Sequence, residues 1–219
     1  LLGPSSSAAS NKTRPPYPLA FAVSILVAGG AIGLWLRLPS NYLITGALEL
    51  PMRHERLLTL SEGVTEVIAI TEEPGTGRTL FTNGHRMSST APLSQRYMRA
   101  FAHIPLLSAD NPETVLVIGF GVGNTTQAAT LHPSVRRVEV VDLSRHVLTH
   151  AGYFKNSNGD VLNDRRVAVY VNDGRQHLQM QRPGSYDLIT LEPPPIAQAG
   201  VAALYSEETI GVDVIEAEL

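Results

Sequence analysis

One glycine loop and three carboxylates carry most of the chemical capacity of this sequence. Val115–Ile118 runs into Gly-Phe-Gly-Val-Gly-Asn, with glycines at Gly119, Gly121 and Gly123. Glycines there let the backbone turn sharply and approach a ligand with no Cβ in the way, and the helix start that follows offers free N–H groups. A dinucleotide fingerprint wants glycine at the sixth position, where Asn124 stands, so the spacing suits a nucleoside without a pyrophosphate. No Gly-Lys-[Ser/Thr] follows, which excludes a P-loop.

Each carboxylate follows an apolar run. Asp142 ends VEVVD, where an acid can accept both ribose hydroxyls, or serve as an N-cap for a helix near Ser144. Asp173 and Gly174 follow the next run, in place to receive an adenine amino group or simply to make a turn. Glu192 follows LITL, placed to act as a general base on an amine or to face solvent before a proline turn. Glycine loop, acid and acid after successive strands together describe an adenosine pocket. His146 and His150 lie four apart without a partner acid and read as a solvated face rather than a metal site. No Gly-x-Ser-x-Gly elbow or His-Glu-x-x-His is present.

The elements that must hold these residues follow from hydrophobic pattern. Thr114–Ile118, Val135–Val141, Arg166–Val171 and Tyr186–Leu191 read as strands separated by helical or loop stretches, which predicts a parallel sheet covered on both faces. Ligands bind such sheets at the carboxyl ends of the strands, near the point where strand order reverses. Upstream, Val67–Thr71, the turn EEPGTG, Arg78–Thr82 and Asn83-Gly84 predict a β-hairpin module. Leu93–Leu107 has helical spacing and is expected to stop near Pro105.

The 219 residues carry a formal net charge of −3 and no cysteine, which excludes disulfides, Cys-ligated zinc and thiol nucleophiles. A mildly acidic chain without a basic block is a poor nucleic-acid binder. Leu19–Leu36 contains no charged residue and is long enough to cross about 30 Å of hydrocarbon as a helix. A signal peptide and a buried core helix compete with that reading. The expected layout is a loop at 1–16, a transmembrane helix at 17–38, a linker at 39–56, a β-hairpin module with its helix at 57–107, and a Rossmann-like domain at 108–219, truncated at its C-terminus. Leucine at position 1 suggests a piece of a longer protein.

The ordered set YMRAFAHIPLL, VLVIGFGVGN, VVDLS, NDGR, YDLITLEPPP and ALYSEE resembles the spermidine synthase family of polyamine aminopropyltransferases, and especially its membrane-fused bacterial members. The resemblance runs from about Leu57 to Glu208. It implies a β-strand module followed by a methyltransferase-like Rossmann fold, and decarboxylated S-adenosylmethionine as co-substrate with no tightly bound cofactor. It implies cofactor-binding roles for Gly119, Gly121, Gly123, Asp142, Asp173 and Gly174, a catalytic role for Glu192, substrate binding by Tyr97 and His103, and no metal. The expected partners are a small-molecule amine, the membrane through the N-terminal helix with the α/β domain cytoplasmic, and a second copy in a homodimer.

The family's Asp-Ser-Ser-Asp-Pro stretch is here Glu192-Pro193-Pro194-Pro195-Ile196, its glutamine after the hairpin is Met87, and the His-Glu after its tyrosine is Met98-Arg99. An S-adenosylmethionine-dependent methyltransferase and a non-catalytic nucleoside-binding domain are the competing readings.

Overall fold

The computed structural model describes residues 17–38, 55–64 and 66–191. The chain divides into two compact units, Leu1–Ala47 and Leu48–Leu219.

In the first unit, α1 (Tyr17–Arg37) carries apolar side chains all round, and Phe21, Ile25, Leu26 and Trp35 are exposed. A helix with no polar face gains nothing from water on any side. Its length and composition suffice to cross a bilayer. Arg37 in the last turn complements the negative end of the helix dipole.

The second unit opens with an antiparallel meander of β1 (Arg56–Glu62), β2 (Val67–Glu73), β3 (Gly77–Thr82) and β4 (His85–Ser89). Asn83 and Gly84 turn β3 into β4 with φ of 50° and 81°, the paired positive values that a two-residue hairpin loop requires. The Asn83 side chain also accepts the Val67 N–H at 2.8 Å, pinning the turn to β2. Period-two alternation divides β2. Ile68 and Ile70 enter the main core with Leu80, while Ala69 packs with Phe81 on the other face.

Helix α2 (Pro92–Ser108) follows, with Pro92 in its first turn, where a missing N–H costs nothing. Met98, Ala102 and Leu106, four residues apart, form its buried stripe. The helix ends near Pro105 as expected from sequence, passing the proline by three residues to Ser108, one beyond the expected Leu93–Leu107 range at each end. Pro105 has no N–H to give the carbonyl of Phe101. Thr190 supplies the missing donor, its hydroxyl meeting that carbonyl at 3.2 Å. A tertiary hydrogen bond thus replaces the one that proline removes.

Four parallel strands complete the unit: β5 (Thr114–Ile118), β6 (Arg137–Asp142), β7 (Val167–Val171) and β8 (Leu188–Leu191), in the order β7-β6-β5-β8. Strand β8 pairs with β5, so chain order reverses at β5 and opens a crevice at its carboxyl end. Val135 is in the core but lies in a turn ahead of β6, its N–H bonded to the carbonyl of His132. The central strands are buried as expected of a covered parallel sheet. Edge strand β7 is not, since Val169, Tyr170 and Val171 are exposed among the described residues. The meander, α2 and the parallel sheet share one core, from Ile68 and Leu80 through Met98 and Ala102 to Val115, Val117, Val138 and Val140. Burial of apolar area at roughly 25 cal/mol per Å² makes such a shared core the main cohesive force between the two sheets.

Candidate nucleoside site

At the carboxyl end of β5 the chain turns through Gly119, Gly121 and Gly123, with φ of 85°, 54° and 83°. All three lie in the left-handed region that side chains disfavour. At Gly123 a Cβ would also meet the Phe120 ring at 2.6 Å, so both conformation and space demand glycine. Gly123 is the N-cap of α3 (Asn124–Thr130), and the Val122 N–H reaches the Ser88 hydroxyl at 3.3 Å, tying the loop to β4.

Asp142 stands at the tip of β6 and bridges two segments. One carboxylate oxygen accepts the Phe120 N–H and the other accepts the Ser144 N–H, each at 2.8 Å. Ser144, not Asp142, caps α4 (Arg145–Thr149), its hydroxyl accepting the Val147 N–H. Burial raises the Asp142 pKa, the two backbone hydrogen bonds pull it back, and the nearby Glu66 carboxylate adds to the rise. Each carboxylate oxygen has two lone pairs, so one N–H on each leaves acceptor capacity for vicinal hydroxyls.

Asp173 follows β7 and caps α6 (Gly174–Gln179), accepting the Gln176 N–H at 3.0 Å; in chain order α6 comes after the four-residue α5 (Lys155–Asn158). At Gly174 a Cβ would meet Ile118 Cγ2 at 2.4 Å. This contact sets the Asp-Gly turn against the end of β5, beside the glycine loop. Below the turn, Glu139 of β6 accepts the Tyr186 hydroxyl at 2.6 Å and lies 3.1 Å from Nε2 of His177 on α6. Burial and the Glu139 hydrogen bond raise the Tyr186 pKa, which keeps that phenol a donor.

Sequence reasoning missed one contributor. Glu66, between β1 and β2, accepts the Ser144 hydroxyl at 2.9 Å and lies 3.4 Å from Nδ1 of His146. A carboxylate from the meander therefore reaches the Asp142 end of β6. The preference for a lone acid just ahead of a strand carries no signal of this, because the contact joins residues about eighty positions apart. His146 and His150 are likewise not a solvated face: His150 Nε2 lies 2.7 Å from the Ser61 hydroxyl, so both imidazoles hold the meander against α4.

The α2 residues separate from this cluster. Tyr97 is half-exposed and meets Phe101 edge to face at 4.9 Å. His103 Nδ1 lies 2.8 Å from His132 Nε2. Met98 is buried, its sulfur 3.2 Å from the Ser88 hydroxyl, and so belongs to the core beneath the glycine loop. Glu192 lies outside the described residues.

A reversing parallel sheet with a glycine loop after its first strand and acids after the next two defines a methyltransferase-like Rossmann fold. Solved structures agree. A spermidine synthase in complex with the transition-state analogue AdoDATO aligns with a TM-score of 0.66 at 23% identity, over 72% of this chain and 53% of that one. The spermidine synthase of Thermotoga maritima aligns with a TM-score of 0.63 at 24% identity, over 72% and 52%.

Residues 94–210 match the spermine/spermidine synthase domain, and the chain belongs to that family. It is 35% identical over 116 residues to the polyamine aminopropyltransferase of Bacillus subtilis, covering 53% of this chain and 41% of the relative. To that of Moorella thermoacetica it is 29% identical over 177 residues, covering 80% and 60%. The chain thus spans about half the length of the curated relatives it matches.

Proposed function

We propose that this protein transfers an aminopropyl group from decarboxylated S-adenosylmethionine to a small amine. The observation that carries the reading is Asp142, whose carboxylate is held by one backbone N–H on each oxygen at the end of β6 and retains lone pairs for a ribose. Gly119, Gly121 and Gly123 would line the nucleoside on one side and Asp173-Gly174 would receive its base. The names borne by the relatives favour this chemistry over methyl transfer, and family membership supports it.

In the transfer, the amine nitrogen attacks the carbon joined to the sulfonium. The C–S bond breaks with its electrons passing to sulfur, leaving methylthioadenosine, and the proton on the attacking nitrogen passes to Glu192 as general base. Tyr97 would flank the amine. Alignment of nucleophile and sulfonium supplies much of the acceleration, because held reactants lose the entropic part of the barrier in advance. Helix α1 would tether the enzyme to a membrane, with the α/β domain on the cytoplasmic side.

Incubating the full chain with intact or decarboxylated S-adenosylmethionine and a panel of diamines tests the reading by product mass. An aminopropylated amine together with methylthioadenosine is expected, while a methylated product from the intact donor would sink it. Glu192→Gln is expected to keep nucleoside binding and to lower turnover at least a hundredfold. Protease accessibility in oriented vesicles reports the tether and its direction.

A further inference from the structure

One serine holds two acids of different sheets. The Ser144 N–H donates to an Asp142 oxygen at 2.8 Å, and the hydroxyl of the same serine donates to Glu66 Oε1 at 2.9 Å. That hydroxyl oxygen also accepts the Val147 N–H, so its single proton is committed to Glu66. Ser144 thereby joins the tip of β6 to the turn between β1 and β2. The turn is shaped around its acid. The Gly63 N–H donates to the Glu66 carbonyl at 2.7 Å, and a Cβ at Gly63 would meet Glu66 Oε1 at 2.8 Å and His146 Nδ1 at 3.1 Å. The titratable groups facing Glu66 are Asp142 and, on α4, His146 at 3.4 Å, with His150 a turn further along. After burial, the Glu66 charge adds to the rise in the Asp142 pKa, so bringing the two acids together has a cost. Adhesion does not require it. The Ser61 hydroxyl already meets His150 Nε2 at 2.7 Å in the same seam, and Arg78 gives an amino group to the Tyr153 carbonyl.

We propose that Glu66 is a positioning residue of the nucleoside site, fixing the orientation of the Asp142 carboxylate toward a ribose through Ser144. With its hydroxyl held by Glu66, Ser144 keeps its N–H on one Asp142 oxygen while Phe120 holds the other, and the remaining lone pairs face a fixed direction. The ribose rests on the nucleoside reading. The relay from Glu66 through Ser144 to Asp142 belongs to the free protein.

Two measurements on the full chain test it: the acid titration of the Asp142 carboxyl carbon by NMR in the free protein, and methylthioadenosine affinity by calorimetry. Glu66→Gln removes the charge but keeps an oxygen for the Ser144 hydroxyl. It is expected to move the Asp142 titration to lower pH and to hold affinity near neutral pH within about twofold. Glu66→Ala removes charge and acceptor together. It is expected to weaken methylthioadenosine about fivefold, the size of one hydrogen bond, and to titrate Asp142 at higher pH than Glu66→Gln, because a loosened Ser144 N–H stabilises the charged form less. Ser144→Ala should weaken binding as much or more, and adding Glu66→Ala to it should cost nothing further, since both act through one bond. Ser61→Ala, which removes the His150 contact, should lower thermal stability and leave affinity and titration unchanged. Thermal unfolding of each variant separates lost positioning from lost fold. An Asp142 titration unmoved by Glu66→Gln, the same titration in Glu66→Ala and Glu66→Gln, wild-type affinity in a folded Glu66→Ala protein, or additive losses in the double variant would each overturn the assignment. A wild type that binds no methylthioadenosine would remove the nucleoside reading instead, and the titrations still decide whether Glu66 orients Asp142.

Discussion

The carboxyl ends of β5, β6 and β7 and the outer face of α2 are built from different material. At the strand ends the shape comes from backbone: three left-handed glycines, two N–H groups on Asp142, and a Gly174 pressed against Ile118. Along α2 it comes from exchangeable side chains, with Arg96, Arg99 and His103 recurring at helical spacing on one face. A pocket made of backbone geometry admits few substitutions. A helix face made of side chains can change its charge without disturbing the helix that carries it.

Asp142→Ala should break the first region most severely, because it removes both the ribose acceptor and the link between glycine loop and β6. Affinity for methylthioadenosine is expected to fall at least a hundredfold, about 3 kcal/mol for two charge-assisted hydrogen bonds, as read by calorimetry. Unchanged affinity would show that Asp142 does not hold the ribose. Gly174→Ala should cost about 2 kcal/mol in urea unfolding by overpacking, and Ile118→Ala in the same chain should recover part of that. Additive costs would show that the two residues are not in contact.

A smaller effect is expected at the join between α2 and the sheet. Thr190→Val should cost about 1 kcal/mol by leaving the Phe101 carbonyl without a donor. In a Pro105→Ala background the helix regains its own N–H, and the same change should cost close to nothing. The smallest effect near neutrality is that of pH. With its pKa raised, Asp142 protonates at higher pH than an ordinary carboxylate. Nucleoside affinity should therefore begin to fall, on acidification, above the usual carboxylate range. The free protein moves the other way: Asp142 contributes stability below its unfolded pKa that is lost as pH rises through the folded one. Asp142→Ala should abolish the pH dependence of binding.

Much of the fold was legible because parallel strands buried on both faces must be continuous apolar runs. All four were visible, and Thr114–Ile118 was bounded to the residue. Asn83-Gly84 announced its hairpin because few residues tolerate paired positive φ. The glycine loop and the acids after β6 and β7 were legible for the same local reasons. The donor that satisfies the Phe101 carbonyl opposite Pro105 was not, because it is the hydroxyl of Thr190, far along the chain. Neither was Glu66, whose partners Ser144 and His146 lie across the interface between the two sheets.

Sequence alone determined the order of elements, the positions that must be glycine, and which carboxylates stand at strand tips, since periodicity and backbone conformation are local properties. Tertiary structure decided how those residues divide. It joined Asp142 to Phe120 and Ser144, seated Gly174 on Ile118, buried Met98 in the core, and set His103 against His132 rather than beside a carboxylate. Such pairings depend on which faces of distant elements meet. Burial then settles the charge each side chain can carry, and no spacing along the chain encodes that.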